Sequence, residues 1–278
     1  MQRVITYSLS DDLIENLADL LVAEYLSMEE DISRLAFVFG GKRPGLFLKR
    51  ALAGRMTRGF FPPVCFSMDE YVDHVLAGSA RVGRINDLEA CFLMYRLVKK
   101  HTPEILKRRE NFAEFLPWAR EIISFIDQLD LEDVDAGSVR NIQLNAQIGY
   151  DVPADINMLL EHILLLRQEY HNRLNELGLV SRGLAYLSAS RVKQKGPAGF
   201  ERIFFCNLFY LHRTEERLIQ NACEGGRAVL VFQGGREWPV LDALASRTGW
   251  NIGRSDVSGR GYELSIRAGF DLHSQVCV

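Results

Sequence analysis

The spacing of hydrophobic residues changes several times along the N-terminal part of the chain. Leucines recur at helical intervals after Asp11, which predicts an amphipathic helix from about Asp11 to Glu29 with Ser10 as its N-cap. The segment RLAFVFGG is a continuous apolar run that ends in two glycines, as is typical of a strand covered on both faces. GLFLKRALAG then returns to helical spacing and stops at Gly54. The pattern therefore predicts a β-loop-α unit.

A predominantly helical stretch follows. Ser67 and Glu70 have the S-x-x-E spacing of a capping box, in which two free backbone N–H groups are satisfied, so a helix is expected to start at Ser67. Between about Asn86 and Gly178 almost every signal is helical, and asparagines such as Asn111 stand where helices begin. This part of the chain is predicted to form a helical block of its own.

The β-α-β order returns after the helical block. ERIFFCNLFYL and RAVLVFQGG have strand-like patterns and enclose the helical segment RTEERLIQNACEGG. A short helix and a Gly/Ser-rich stretch lead to YELSIRAGFDLHSQVCV, which is predicted to be one more strand and indicates that the chain is the N-terminal part of a longer protein. We expect an α/β fold with one shared sheet. Residues 1–75 form its first part, 76–200 a helical insertion, and 201–278 its return and the start of a following segment.

Composition adds a few constraints. With 278 residues and 47% hydrophobic content, the chain is long enough to bury a large core. Its longest apolar runs fall short of the roughly 18 residues that cross a bilayer, and its N-terminus lacks a secretory signal, so we expect a cytoplasmic protein without a membrane span. The five cysteines are far apart and lack histidines at zinc-ligand spacing, which favours reduced thiols over a metal site or disulfides.

Positive charge is concentrated after the first predicted strand. The formal net charge of −3 gives no general attraction to nucleic acid, so such binding needs a local basic patch. From Lys42 to Arg58 the chain carries six cations and no acidic residue. A run of charged residues on a helix usually forms a solvent-exposed face, and this is the ordinary explanation for the six cations. Beside a glycine loop and a helix N-terminus, these cations also form a surface suited to phosphate groups.

The glycine loop contains part of a nucleotide-binding motif. A P-loop reads G-x-x-x-x-G-K-[ST], in which backbone N–H groups and the Lys hold phosphates and the hydroxyl holds magnesium. Gly40 and Gly45 have the required spacing, but Leu46 and Phe47 follow where the Lys and the hydroxyl belong. The loop is therefore not expected to hydrolyse ATP. An ordinary glycine turn between strand and helix explains the same two glycines.

Two further observations bear on this loop. Lys42 and Arg43 lie inside it and can contact phosphate, yet neither replaces the magnesium-binding hydroxyl. P-loop enzymes also place a metal-binding carboxylate at the end of a later strand, where this chain has Asn207. The sequence thus predicts phosphate contact without catalysis, and no catalytic residue, metal ligand or cofactor. The predicted phosphate-contacting or DNA-contacting residues are Gly40, Gly41, Lys42, Arg43, Gly45, Lys49, Arg50, Arg55 and Arg58.

The order of these segments resembles the N-terminal region of the B subunit of AddAB-type helicase-nucleases, the bacterial complexes that process DNA double-strand breaks. The resemblance rests on FVFGGKRPGLFLKRAL, FFPPVCFSMDEYV, the helical block, ERIFFCNLFYLHRTEERLIQNAC and ELSIRAGFDLHSQV. It extends over nearly the whole chain but includes no single diagnostic motif.

The resemblance implies a P-loop (RecA-like) parallel sheet similar to the first motor domain of superfamily 1 helicases, with a helical insertion corresponding to their 1B subdomain. It implies a noncatalytic DNA-binding and scaffolding role in double-strand-break repair and recombination. DNA, as a single strand or a duplex end, and an AddA-type motor subunit would be the partners. By Leu46, Phe47 and Asn207, the chain resembles family members with an inactivated ATP site. The family's nuclease domain lies near the far C-terminus.

Two other functions stay open at the level of sequence. One is a nucleotide-binding, ATPase-like protein in which Lys42 or Arg43 substitutes for the usual P-loop Lys. Calorimetry with ATP and magnesium tests it, because binding tighter than about millimolar requires a real site. The other is a pure protein-interaction module, which is favoured if neither DNA nor nucleotide binds.

Overall fold

A parallel β-sheet lies at the centre of the computed structural model, which describes residues 3–26, 31–77, 83–139, 154–192 and 199–254. The strands in the described residues are β1 Arg3–Tyr7, β2 Leu35–Phe39, β3 Val64–Ser67, β4 Gly83–Arg84, β5 Leu179–Val180, β6 Arg202–Cys206 and β7 Ala228–Gln233. The main sheet has the order β1-β7-β6-β2-β3 with every pairing parallel. Strands from both ends of the chain therefore share one sheet, which confirms the predicted α/β class.

Helices cover both faces of this sheet. In the described residues they are α1 Leu13–Glu24, α2 Arg43–Arg55, α3 Met68–Ala77, α4 Asp87–His101, α5 Phe112–Leu131, α6 Ala154–Leu177, α7 Arg182–Arg191, α8 Arg213–Glu224 and α9 Pro239–Thr248. Leu17 of α1 and Leu48 of α2 pack in one apolar core with Phe37 of β2. Residues of α3, α8 and α9 pack in a second core with Ala36 and Val38 of the same strand. Successive side chains of β2 thus point into different cores, as the strand period requires.

The central position of β2 explains its sequence. The strand is hydrogen-bonded to β3 on one side and β6 on the other, and all five of its residues are buried. A strand covered on both faces reads as a continuous apolar run rather than an alternating one. The prediction from RLAFVFGG is therefore confirmed, and Phe37 stacks on Phe204 of β6 with ring centroids 4.5 Å apart.

Helices α4 to α7 lie between β3 and β6 in the sequence. The side-chain oxygens of Asn86 and Asn111 accept hydrogen bonds from the first turns of α4 and α5, as their positions predict. Helix α6 ends before Gly178, whose φ of 65° is the left-handed conformation that favours glycine. The apolar core runs without a break from the sheet into this helical segment. The division into parts at residues 75 and 200 stays a prediction.

Helices α5 and α7 approach each other closely at one glycine. A Cβ atom on Gly183 would lie 2.7 Å from the Cα atom of Asp127, so any side chain there would push the two helices apart. The Asp127 carboxylate accepts hydrogen bonds from Ser181 Oγ at 2.7 Å and from the Gly183 N–H at 2.8 Å. One α5 carboxylate therefore helps to cap the N-terminus of α7 and fixes how the helices cross.

The structure differs from the sequence predictions at several element boundaries. Asp12, and not Ser10, caps α1, because its carboxylate accepts the N–H groups of Ile14 and Glu15. Helix α3 begins at Met68, one residue later than expected, because Ser67 still belongs to β3. Strand β1, the short β4–β5 pair and helix α7 were not predicted. The strand predicted in YELSIRAGFDLHSQVCV lies outside the described residues.

Candidate functional site

The glycine loop follows β2, at the point in the sheet where the connections from two neighbouring strands lead in opposite directions. From β2 the chain passes through α2 on one face to β3, whereas from β6 it passes through α8 on the opposite face to β7. The ends of these neighbouring strands, Phe39 and Cys206, lie side by side. The loops that follow them lead to opposite faces of the sheet, and in open α/β sheets ligands bind at such a switch point.

The loop is shorter than the sequence predicted. Helix α2 already begins at Arg43, so Gly45 is the third helical residue and not part of a turn. A Cβ atom on Gly45 would lie 2.6 Å from the Cβ atom of Cys65, so the glycine allows α2 to pack directly on β3. Cβ atoms on Gly40 and Gly41 would meet nothing within 4 Å. Of the three glycines, Gly45 is needed for packing, and the other two leave an open surface.

Among the residues that the structure describes, no side chain caps the N-terminus of α2. Its N-cap residue, Lys42, has a helical backbone conformation and makes no capping hydrogen bond, and the first turn contains Pro44 but no acidic residue. By contrast, Asp12, Asn86 and Asn111 cap their helices through side-chain oxygens. The first turn of a helix carries partial positive charge and N–H groups without intrahelical partners. This end of α2 therefore favours an anion.

Lys42 is paired with a neighbouring helix. Its ammonium group lies 2.7 Å from Glu70 Oε1 of α3, while Glu70 Oε2 accepts hydrogen bonds from the N–H and Oγ of Ser67. The Lys42 hydrogen bond and those from Ser67 hold the pKa of Glu70 down at about 2. The predicted Ser67–Glu70 capping box is confirmed. The expectation that the basic cluster has no counterions is wrong for Lys42, because α3 brings an acid to it.

Arg55 is also paired, at the other end of α2. Its guanidinium group lies 2.7 Å from both Glu15 and Asp19 of α1. Arg55 therefore connects α2 to α1 and, like Lys42, has a structural role. Hydrogen bonds to the same two acids raise the pKa of Arg55 above its usual value. Within the described residues, four cations of the cluster form no ion pair or side-chain hydrogen bond: Arg43, Lys49, Arg50 and Arg58.

Leu46 and Phe47 point outward from α2. They are 65% and 55% exposed, although they occupy the places of the P-loop Lys and hydroxyl. Residues 43, 46, 47 and 50 share one side of a helix, so the two apolar side chains lie between Arg43 and Arg50. The sequence predicted a role for the two arginines, but Leu46 and Phe47 were interpreted only as the loss of the P-loop Lys and hydroxyl. Their helical spacing, opposite the buried Leu48 and Leu52, was the available signal.

A small cleft opens between the loop, β3 and α3. Its volume is about 240 Å³, and Lys42, Lys49, Cys65 and Glu70 are among the residues that line it. Burial raises the pKa of the Cys65 thiol to about 11, so this cysteine is neutral at physiological pH. The cleft is smaller than the roughly 300 Å³ at which small-molecule sites begin.

Asn207 joins two strands instead of facing the loop. Its backbone is left-handed, with φ of 52°, and its side-chain amide donates to Gln233 Oε1 at 2.9 Å while its carbonyl oxygen accepts the Gln233 N–H at 2.8 Å. Gln233 in turn donates to the backbone oxygen of Asp11. Asn207, which stands where P-loop enzymes have a metal-binding carboxylate, thus joins the carboxyl ends of β6 and β7. Gln233 extends the connection to the loop after β1.

Three acidic residues that lie close together in the sequence, Asp130, Glu132 and Asp133, have structural roles. Asp130 is completely buried and bonds to Arg167 at 2.7 Å and to His171 at 2.8 Å, which joins α5 to α6. Glu132 and Asp133 are likewise in ion pairs. In the part of the chain that the structure describes, no group of three or more His, Cys, Asp and Glu side chains is placed to hold a metal ion.

The predicted site residues lie on and around α2 and differ in role. Arg43, Gly45, Lys49, Arg50 and Arg55 belong to the helix, Gly40, Gly41 and Lys42 precede it, and Arg58 follows it. Arg43, Lys49 and Arg50 present charge from α2, whereas Lys42 and Arg55 connect α2 to its neighbours. No helix among the described residues has the length and apolar character needed to span a membrane. No protein-family model matches the chain, and no curated protein matches it.

Proposed function

We propose that the chain is a noncatalytic, helicase-like segment that contacts the DNA backbone and serves as a scaffold beside a motor subunit. The observation that carries this proposal is the N-terminus of α2 at the switch point of the sheet, where uncapped backbone N–H groups lie beside Arg43. Arg43 and, one to two turns farther along the helix, Lys49 and Arg50 form no ion pair within the part of the chain that the structure describes. Phosphate groups are the anions suited to such a surface, because helix dipole, N–H groups and arginines all favour them.

The same surface has little to offer hydrolysis of a nucleoside triphosphate. Leu46 and Phe47 cannot bind a γ-phosphate or magnesium, and Asn207 is engaged with Gln233. Of the two cations that could substitute for the P-loop Lys, Lys42 is held by Glu70, and Arg43 supplies no magnesium ligand. The nucleotide-binding alternative therefore has weaker support than contact with a phosphate backbone.

The family resemblance supplies the finer part of the proposal. An AddA-type motor subunit would hydrolyse ATP, and this chain would hold DNA near a break as part of a double-strand-break repair complex. The RecA-like, superfamily 1 helicase fold belongs to the same proposal, with α4 to α7 in the place of the 1B subdomain. The parallel sheet, the glycine loop after β2 and the insertion between β3 and β6 are consistent with it.

Binding of fluorescein-labelled forked DNA, followed by anisotropy at physiological salt, tests the phosphate contact. The double reversal R43E/R50E is expected to weaken binding by about tenfold or more, since each lost phosphate contact costs about fourfold near 0.15 M salt. The glutamate at position 43 would lie in the first turn of α2, where a negative charge interacts favourably with the helix dipole, so the variant should fold. R213E is the control, because Arg213 is also an exposed arginine at the first position of a helix. Equal affinities of R43E/R50E and R213E would reject the proposal.

A further inference from the structure

The outward face of α2 combines an aromatic ring with cations on both sides. Phe47 and Leu46 are the exposed apolar pair, and Arg43 and Arg50 stand one turn before and one turn after them. The two arginines are seven positions apart in the helix, which places them about 10 Å apart along its axis. Folding leaves the ring of Phe47 half-exposed, so it is available to a ligand.

A groove adjoins the ring of Phe47. It runs between α1 and α2, has a volume of about 560 Å³, and has Ile14, Ala51 and Gly54 among its lining residues. Two acids also line it, but both are engaged. Asp12 accepts the first N–H groups of α1, and Glu15 is paired with Arg55. The groove therefore offers apolar surface beside Arg50, which forms no ion pair with another described residue, whereas Arg55 on the same groove is paired with Glu15.

We propose that this face binds single-stranded nucleic acid, with an unpaired base stacked on Phe47 and the flanking phosphates held by Arg43 and Arg50. This inference rests on the proposed function and sharpens it, because it assigns the strand form that the site accepts. Aromatic rings and cations in alternation are how proteins hold single strands without sequence preference. A duplex keeps its bases stacked inside and would leave Phe47 in water.

Charge complementarity and the size of the patch favour this occupant. The cations call for a polyanion, while two exposed apolar side chains fall far short of the roughly 800 Å² that each partner of a stable protein interface buries. One or two bases match the patch. An acidic protein segment is thus the less suitable occupant, and it is an outcome that the experiment can detect.

Fluorescence anisotropy with the 278-residue chain tests the inference on three labelled probes: a 20-nucleotide oligothymidine, an abasic strand with the same number of phosphates, and a 20-base-pair duplex. The wild type should bind oligothymidine about fivefold or more tightly than the abasic strand. F47A should remove this preference without changing the affinity for the abasic strand, and F47W should keep it. Phe47 is mostly exposed and alanine favours helices, so F47A should fold.

Each alternative result has a distinct meaning. Equal affinity of the wild type for oligothymidine and the abasic strand, or a preference that survives in F47A, would overturn the stacking role. If R43E/R50E still weakens abasic-strand binding in that case, the backbone contact of the proposed function stands alone. If no probe binds and an acidic peptide such as poly-glutamate does, both proposals fail and α2 is a protein-docking face.

Discussion

The two β-loop-α units that border the switch point begin their helices in opposite ways. In both, a buried parallel strand leads through a loop to a helix whose first residue is an arginine, Arg43 in α2 and Arg213 in α8. The third residue differs. In α8 it is Glu215, whose carboxylate reaches back to accept the His212 N–H at 2.8 Å. In α2 it is Gly45, which has no side chain to reach back.

The difference shows how packing of a helix can leave its N-terminus available. Gly45 is required by the contact of α2 with Cys65, and this same requirement removes the residue that would close the helix end. The β6–α8 unit satisfies its own polar groups through Glu215 and the Asn207–Gln233 pair. Within the described residues, the β2–α2 unit instead offers a ligand the N–H groups of an uncapped helix end together with the unpaired Arg43.

The largest effect is expected from Gly45→Ala. Alanine is the better helix former by about 1 kcal/mol, so without a steric conflict the substitution would stabilise the protein. Because the new Cβ would lie 2.6 Å from that of Cys65, we expect a loss of about 1–3 kcal/mol in the free energy of unfolding. Urea unfolding measures it. The C65G background, which removes the clashing atoms, should reduce the cost, and an equal cost in both backgrounds would contradict the packing role of Gly45.

A smaller loss of stability is expected when the N-terminus of α8 loses its hydrogen bond to Glu215. Glu215→Ala removes the cap of α8 and should lower the free energy of unfolding by about 1 kcal/mol. Glu215→Gln keeps the hydrogen bond. Burial raises the pKa of Glu215, so the folded protein loses stability when this carboxyl ionises. E215Q cannot ionise at this position. Its stability relative to wild type should therefore rise as the pH increases from 4.5 to neutral. Neither variant should change DNA affinity. Thermal unfolding between pH 4.5 and 7 checks the sign, which a constant difference would contradict.

The smallest effect is expected from freeing Lys42. Glu70→Gln retains the capping box of α3 while removing the charge that holds Lys42. DNA affinity should rise by about fourfold near 0.15 M salt, the gain from one added phosphate contact. The double variant K42A/E70Q should lose most of this gain, which anisotropy can measure. An unchanged affinity of E70Q would mean that Lys42 does not face the bound strand.

Local signals in the sequence predicted most of the elements. The uninterrupted apolar run of β2, the asparagines that open α4 and α5, and the Ser67–Glu70 capping box all depend on residues close together in the chain. Strand β1 was missed because it is a short edge strand, Arg3–Tyr7, without a fully buried residue. Helix α7 was missed because its apolar and small residues are buried on nearly every side, which leaves little helical periodicity.

The sequence predicted where the glycine loop and its cations lie relative to β2 and α2, but not which of the cations are paired. The sequence placed a basic glycine loop after β2 and correctly found no Lys or hydroxyl in its motif. It could not show that Lys42 meets Glu70 or that Arg55 meets Asp19, because these partners come from other helices. The role of Gly45 was also hidden, since it depends on the distance to a neighbouring strand. Tertiary contacts thus decide which cations of the cluster are free.

The salt dependence of strand binding tests the phosphate contact most directly. For wild-type protein and the neutral variants R43Q/R50Q and R213Q, the logarithm of the affinity for oligothymidine is measured against the logarithm of salt concentration. Two lost phosphate contacts should make the slope of R43Q/R50Q shallower by about 1.4, because each contact on a single strand contributes about 0.7. R213Q should have the wild-type slope. Equal slopes for wild type and R43Q/R50Q would contradict a phosphate-binding role for α2.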